Sequence, residues 1–264
     1  GGFSNYGSSV GAFDSAVIDA IITFFMVLFG INFALFYRVL VGGWRDALRS
    51  EELHWYLALF AGSTLFVSLM ILPQYGTFLN ALRYGSFQVA TIMSTTGYAT
   101  ADFNLWPQAV KALIVVLMFI GSCAGSTAGG IKVVRVGILC KLGCREVRRT
   151  FQPRKVQVVR FEGKGVEENR LTQVSAFFFV YVLLVLAGMF LVSLEGLYDL
   201  ETNFTAVLTC ISNVGPGLGH VGPVENFSGY GPFAKVVLSL LMLAGRLELF
   251  PILVLFHPSA WRKG

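Results

Sequence analysis

The chain has 264 residues, 55% of them hydrophobic and only 13% charged, with a net charge of +5 and a mean hydropathy of +0.68. Soluble domains carry roughly 25% charged residues, so this sequence cannot cover a globular surface with solvated groups, and an ordinary water-soluble enzyme is excluded. Its 14% aromatic content excludes disorder, which leaves a polytopic membrane protein; the apolar spans that follow make it an all-α integral membrane fold.

In chain order, Gly1-Gly2-Phe3-Ser4-Asn5 has neither an initiator Met nor a signal-peptide core. It reads as the middle of a loop, so the chain is expected to be a piece of a longer one. Crossing about 30 Å of hydrocarbon takes about 20 apolar residues. Five stretches meet this: Ala16–Leu40, His54–Leu72, Trp106–Ile120 (an extension past Val133 stays open), Val174–Leu194 and Phe233–Phe256. Two shorter ones, Gly85–Met93 and Thr202–Ser212, reach at most about 16 Å at 1.5 Å per residue. They read as re-entrant half-helices, tolerated in a membrane only when buried in protein or lining a wet cavity.

Charge sets the orientation. Arg38–Glu52, Lys132–Arg170 and Arg262–Lys263 together carry +9, and the opposite ends of the spans carry −4. By the positive-inside rule the basic side is cytoplasmic, and the half-helix loops lie outside. Lys132–Arg170 lies between two spans, so it reads as topology rather than as a nucleic-acid arm. It stays compatible with a docking surface for a cytosolic partner.

The order span, half-helix, glycine loop, span recurs. Ser94-Thr95-Thr96-Gly97-Tyr98-Ala99-Thr100 follows the first half-helix, Ser212-Asn213-Val214-Gly215-Pro216-Gly217 the second, and the opening residues overlay Thr96–Thr100. Gly2, Gly97 and Gly215 are then equivalent, 95 and 118 residues apart. Loop carbonyls on a shared axis can replace the hydration shell of a monovalent cation, and the positive φ this needs comes readily from glycine. Half-helix C-termini, each worth about −0.5 charge, add to the attraction. Four such units would make a pore, so one and a half are expected upstream. The division is residues 1–52 (end of repeat 2), 53–165 (repeat 3) and 166–264 (repeat 4).

Residues 121–130, Gly-Ser-Cys-Ala-Gly-Ser-Thr-Ala-Gly-Gly, interrupt what would be one helix. Each glycine costs about 1 kcal/mol against alanine there. An unwound loop beneath the glycine loops is favoured over a G-x-x-x-G packing stripe of Gly121, Gly125 and Gly129. A phosphate loop is ruled out because Ile131 separates Gly130 from Lys132. Arg246 is an ionisable residue within a span, by default a functional-site hypothesis. It is expected to face the path below the glycine loops and to bond carbonyls near Gly125–Gly130. Cys123, Cys140, Cys144 and Cys210 read as free thiols. His54, His220 and His257 have no metal-ligand spacing, and no nucleophile–base–acid set appears, so the chain is not read as an enzyme.

The stretches Ser94–Thr100, Gly121–Arg135, Ser212–Gly219, Ala244–Phe256 and Pro258–Trp261 resemble the membrane subunits of bacterial Trk-type potassium-uptake systems, in the superfamily that includes Ktr and HKT transporters. The resemblance covers essentially the whole chain. It implies a potassium-channel-like, pseudo-fourfold pore of four helix–pore-loop–helix repeats, of which about two and a half are present. It implies a K⁺ filter around Gly1, Gly2 and Phe3, Thr95, Thr96, Gly97 and Tyr98, and Asn213, Val214, Gly215 and Pro216. The gate would comprise Gly121, Gly125, Ser126, Thr127, Gly129, Gly130 and Arg246. Further implications are a homodimer, a TrkA-like cytosolic ring of nucleotide-binding regulatory subunits, a multi-pass place in the lipid of the bacterial inner membrane, and no nucleic acid. A Na⁺- or H⁺-coupled K⁺ symporter and a non-conducting docking protein remain as alternatives.

Overall fold

The computed structural model describes residues 1–152 and 157–247. Ser15 accepts from Ile18 N and opens α1 (Ala16–Phe29), which stops at Gly30. Asn32 accepts from Ala34 N and opens α2 (Phe33–Leu40), bent by 89° from α1. The expected single span Ala16–Leu40 is therefore two helices. The reason lies elsewhere in the chain: Gly30 O accepts from Cys123 N at 3.1 Å and Phe33 N donates to Gly125 O at 3.2 Å. A helix can break inside a membrane when protein re-satisfies the freed peptide groups.

A short helix, α3 (Trp44–Leu48), leads into α4 (Glu51–Tyr75). Ser50 caps α4, with Glu51 and Glu52 in the first turn, and Gly76 in a left-handed conformation ends it. After Thr77 comes α5 (Phe78–Met93), longer than the half-helix expected over 85–93. Hydropathy dropped its first turns because they hold Asn80 and Arg83. Arg83 Nε instead donates to the nearly buried Asp19 of α1 at 2.7 Å. From Phe87 to Met93 every residue of α5 is buried, the surroundings a re-entrant segment requires.

Pro107 precedes α6 (Gln108–Ile120), and α7 (Val133–Phe151) follows after a non-helical stretch. Then come a two-residue hairpin, β1 (Arg160–Phe161) and β2 (Lys164–Gly165), and α8 (Glu168–Ser193). Asp199 accepts from Thr202 N and opens α9 (Leu200–Ser212), close to the expected Thr202–Ser212, and α10 (Pro232–Arg246) starts with proline in its first turn. The rest of the expected fifth span, 248–256, and the basic pair Arg262–Lys263 lie outside the described residues.

Taken alone, α4 and α8 are long and apolar enough to cross a membrane, and α1 with α2 forms a broken candidate; α6 is shorter. Packing repeats the sequence order. The half-helix α5 lies against α4 and α6, and α9 lies against α8 and α10. Tyr56, Ile71, Ile92, Leu117, Tyr181, Val207 and Ile211 belong to the common core behind both half-helices.

Candidate functional site

Each half-helix ends in a loop folded by the same local rule. In the first, Thr91 O accepts from Thr96 N at 3.0 Å and from Gly97 N at 3.5 Å. In the second, Thr209 O accepts from Val214 N at 2.9 Å, and Thr209 Oγ1 accepts from Gly215 N at 2.8 Å. Thr91 and Thr209 both stand six residues before their glycine. Thr95 and Asn213 hold positive φ of 54° and 57°, and Gly2, Gly97 and Gly215 have φ of 68°, 82° and 116°. Side chains seldom tolerate this region.

The three loops meet. Gly2 N donates to Thr96 O at 2.8 Å. A Cβ placed on Gly97 would run into Val214 O and stand 2.6 Å from Gly2 N; one on Gly2 would run into Gly97 O, and one on Gly215 would stand 2.6 Å from Gly1 O. Gly1, Gly2, Phe3, Thr95, Thr96, Gly97, Asn213, Gly215 and Pro216 share one cavity of about 940 Å³ with Thr127 and Arg246. Two expected site residues have side chains elsewhere. Tyr98 packs against the cluster of Val10, Met26, Phe87 and Ala90, and Val214 is fully buried in the main core.

Below these loops the chain from 121 to 132 is not helical, so the packing stripe of Gly121, Gly125 and Gly129 does not form. Gly121, Gly125 and Gly130 take positive φ of 70°, 66° and 79°, which ends α6 and turns the chain back. An unwound backbone needs partners for its peptide groups, and it finds them on four sides. Gly129 N donates to Thr95 Oγ1 at 3.1 Å, Ala124 N to Glu52 Oε1 at 2.6 Å, and Cys123 N to Gly30 O. Arg246 Nη1 donates to Thr127 O at 2.7 Å. Ser122 and Ser126 share a hydrogen bond of 2.9 Å within the loop, and Lys132 Nζ donates to Ala128 O. Gly129 leaves no room for a Cβ, which would run into Ser212 O at the end of α9.

A second cavity, of about 300 Å³, lies against the loop on Gly125, Ser126, Gly129, Lys132 and Arg135. Arg246 lines both cavities.

The TrkH cation transport protein family model matches residues 1–263. The chain belongs to this family. The family description is one of cation transport, not of catalysis. The chain is 37% identical over its whole length to the Trk system potassium uptake protein TrkH of Salmonella typhimurium, and 35% identical to that of Escherichia coli. It spans 54% of each, about half the length of the curated relatives it matches. A crystal structure of the potassium transporter TrkH from Vibrio parahaemolyticus superposes with a TM-score of 0.90 at 34% identity, covering 99% of this chain and 56% of that one.

Sequence reasoning about this TrkH-family chain missed Glu52, Asn32 and Thr209. In the sequence Glu52 stands only as a loop charge at the head of a span. Its one local signal, an acid in the first turn of a helix, has a sufficient ordinary explanation in the helix dipole.

Proposed function

We propose that this chain forms part of a potassium-conducting path through the bacterial cytoplasmic membrane. Backbone oxygens of Gly1–Phe3, Thr95–Tyr98 and Asn213–Pro216 would stand in for the water around K⁺, with an upstream repeat completing a pseudo-fourfold ring. The convergence of Gly2, Gly97 and Gly215 on one cavity carries this reading. Support comes from the half-helices, whose C-terminal ends, Ser94 and Asn213, bring partial negative charge to the same place. Hard divalent ions such as Mg²⁺ prefer carboxylates and retained waters, whereas uncharged loops suit a more weakly hydrated ion. The loop 121–132 bars the path beneath, and the Arg246 guanidinium holds it there and repels cations.

The basic connections, with α7 and the hairpin, then face the cytosol, where a nucleotide-binding regulatory ring would dock on the homodimer. The potassium-uptake names of the relatives agree with this assignment. Rescue of potassium-uptake-deficient cells by the full-length protein is the test. Gly97→Ser and Gly215→Ser each add a side chain where a backbone atom of a neighbouring loop already stands, so rescue is expected to fail although the protein reaches the membrane. Full rescue by both variants would refute the filter.

A further inference from the structure

The hairpin between α7 and α8 turns on Glu162 and Gly163, with φ of 52° and 70°. Two positive φ values are what a two-residue type I′ turn demands, and Asn, Asp or Gly usually supply the first. A glutamate there carries conformational strain, and its exposed side chain has a definite employment. Glu162 Oε1 accepts from Ser50 Oγ at 2.7 Å and from Glu52 N at 3.0 Å, and Glu162 N donates to Glu51 Oε2 at 3.1 Å. The hairpin thus caps the start of α4 from outside. Lys141 of α7 fastens the junction, pairing with Glu51 and donating to Arg160 O at 2.8 Å.

One residue along, Glu52 points the other way. It is 6% exposed, and a carboxylate so placed is costly unless hydrogen-bonded. Its partners are the Ala124 N–H of the 121–132 loop, at 2.6 Å, and Asn32 Nδ2 at 3.5 Å. Asn32 itself caps α2, and the next residue, Phe33, donates to Gly125 O. An unbroken series of contacts therefore runs from an exposed hairpin turn, through the first turn of α4, to the unwound loop.

We infer that Glu52 is a positioning residue for the barrier loop, and that Glu162 sets its position, so that movement of the hairpin shifts the loop. The inference rests on the reading of 121–132 as the barrier. Any partner or ligand that pulls on the α7–α8 connection would act through these two carboxylates. A merely structural Glu52 would affect how much protein folds, but not how often a folded channel opens.

The experiment uses the full-length protein in planar bilayers. Glu52→Gln keeps the shape and one acceptor while halving the strength of the bond to Ala124 N, and Glu162→Ala removes the carboxylate that accepts from Ser50 Oγ and Glu52 N while leaving the loop's own contacts in place. Each is expected to raise the open-to-closed ratio about fivefold with unitary current unchanged. The double variant should do no more than the larger single one. An unchanged open probability in Glu52→Gln, or a double variant whose effect is the product of the two, overturns the inference. Deletion of Ala124–Gly129 separates the two levels. If it raises basal flux while Glu52→Gln leaves gating unaltered, the relay alone is refuted. If the deletion leaves flux unaltered, the barrier reading falls and the relay with it.

Discussion

Replacing Arg246 with alanine removes the hydrogen bond to Thr127 O, 2.7 Å long, and a positive charge that lines both cavities. A hydrogen bond from a charged donor contributes about 1.5–3 kcal/mol. Arg246 is exposed to the cavities it lines, and solvent weakens charge interactions there, so the lower end applies. If only the closed loop makes this bond, about 1.5 kcal/mol shifts the open-to-closed ratio about tenfold toward open. The lost charge acts separately, because a cation beside the proposed path would repel K⁺ whether the loop is open or closed. Single-channel recording resolves the two effects, the first as open probability and the second as current amplitude and ion block. Arg246→Lys keeps the charge but not the planar fork, so it should retain the block while releasing part of the gate. Arg246→Ala channels with unchanged amplitude, open probability and block would refute both roles.

Gly129→Ala tests the loop by steric means alone, since its φ is not among the left-handed ones. The added methyl meets Ser212 O and lies 2.8 Å from Ser212 C, so the closed packing should lose about 1–3 kcal/mol and basal K⁺ uptake should rise at least several-fold. Gly143→Ala in α7 faces open space and serves as the silent control. Arg83→Gln strands the Asp19 carboxylate, 2% exposed, and should cost about 3–5 kcal/mol, read as a lower melting temperature in detergent. Adding Asp19→Asn should recover most of it, and equal melting of Arg83→Gln and wild type would refute the assignment.

The local and periodic features were legible in the sequence. Half-helices, the glycines behind them and the interruption after Ile120 show as recurring patterns, and the repeat implied that Gly2, Gly97 and Gly215 meet. Features stabilised from a distance were not. The break at Gly30–Asn32 passes a hydropathy window because Gly and Ile keep the average apolar, and the groups that stabilise it belong to Cys123 and Gly125. The early turns of α5 look too polar until Asp19, 64 residues before Arg83, is placed beside them. Glu52 looks like a surface charge until Ala124, 72 residues away, appears as its donor. In each case the deciding partner is remote in sequence, which composition and spacing do not encode.

The bend between α1 and α2 has a thermodynamic corollary. Gly30 O and Phe33 N are satisfied by Cys123 N and Gly125 O, so the loop withdrawal that the proposed gating requires would take away the partners of these two peptide groups at the bend. Dry, that would cost roughly 1–3 kcal/mol for each group; the cheap substitute is water. Opening and local hydration are then one event, and osmolytes that lower water activity should shorten the conducting lifetime without touching the ion's own route.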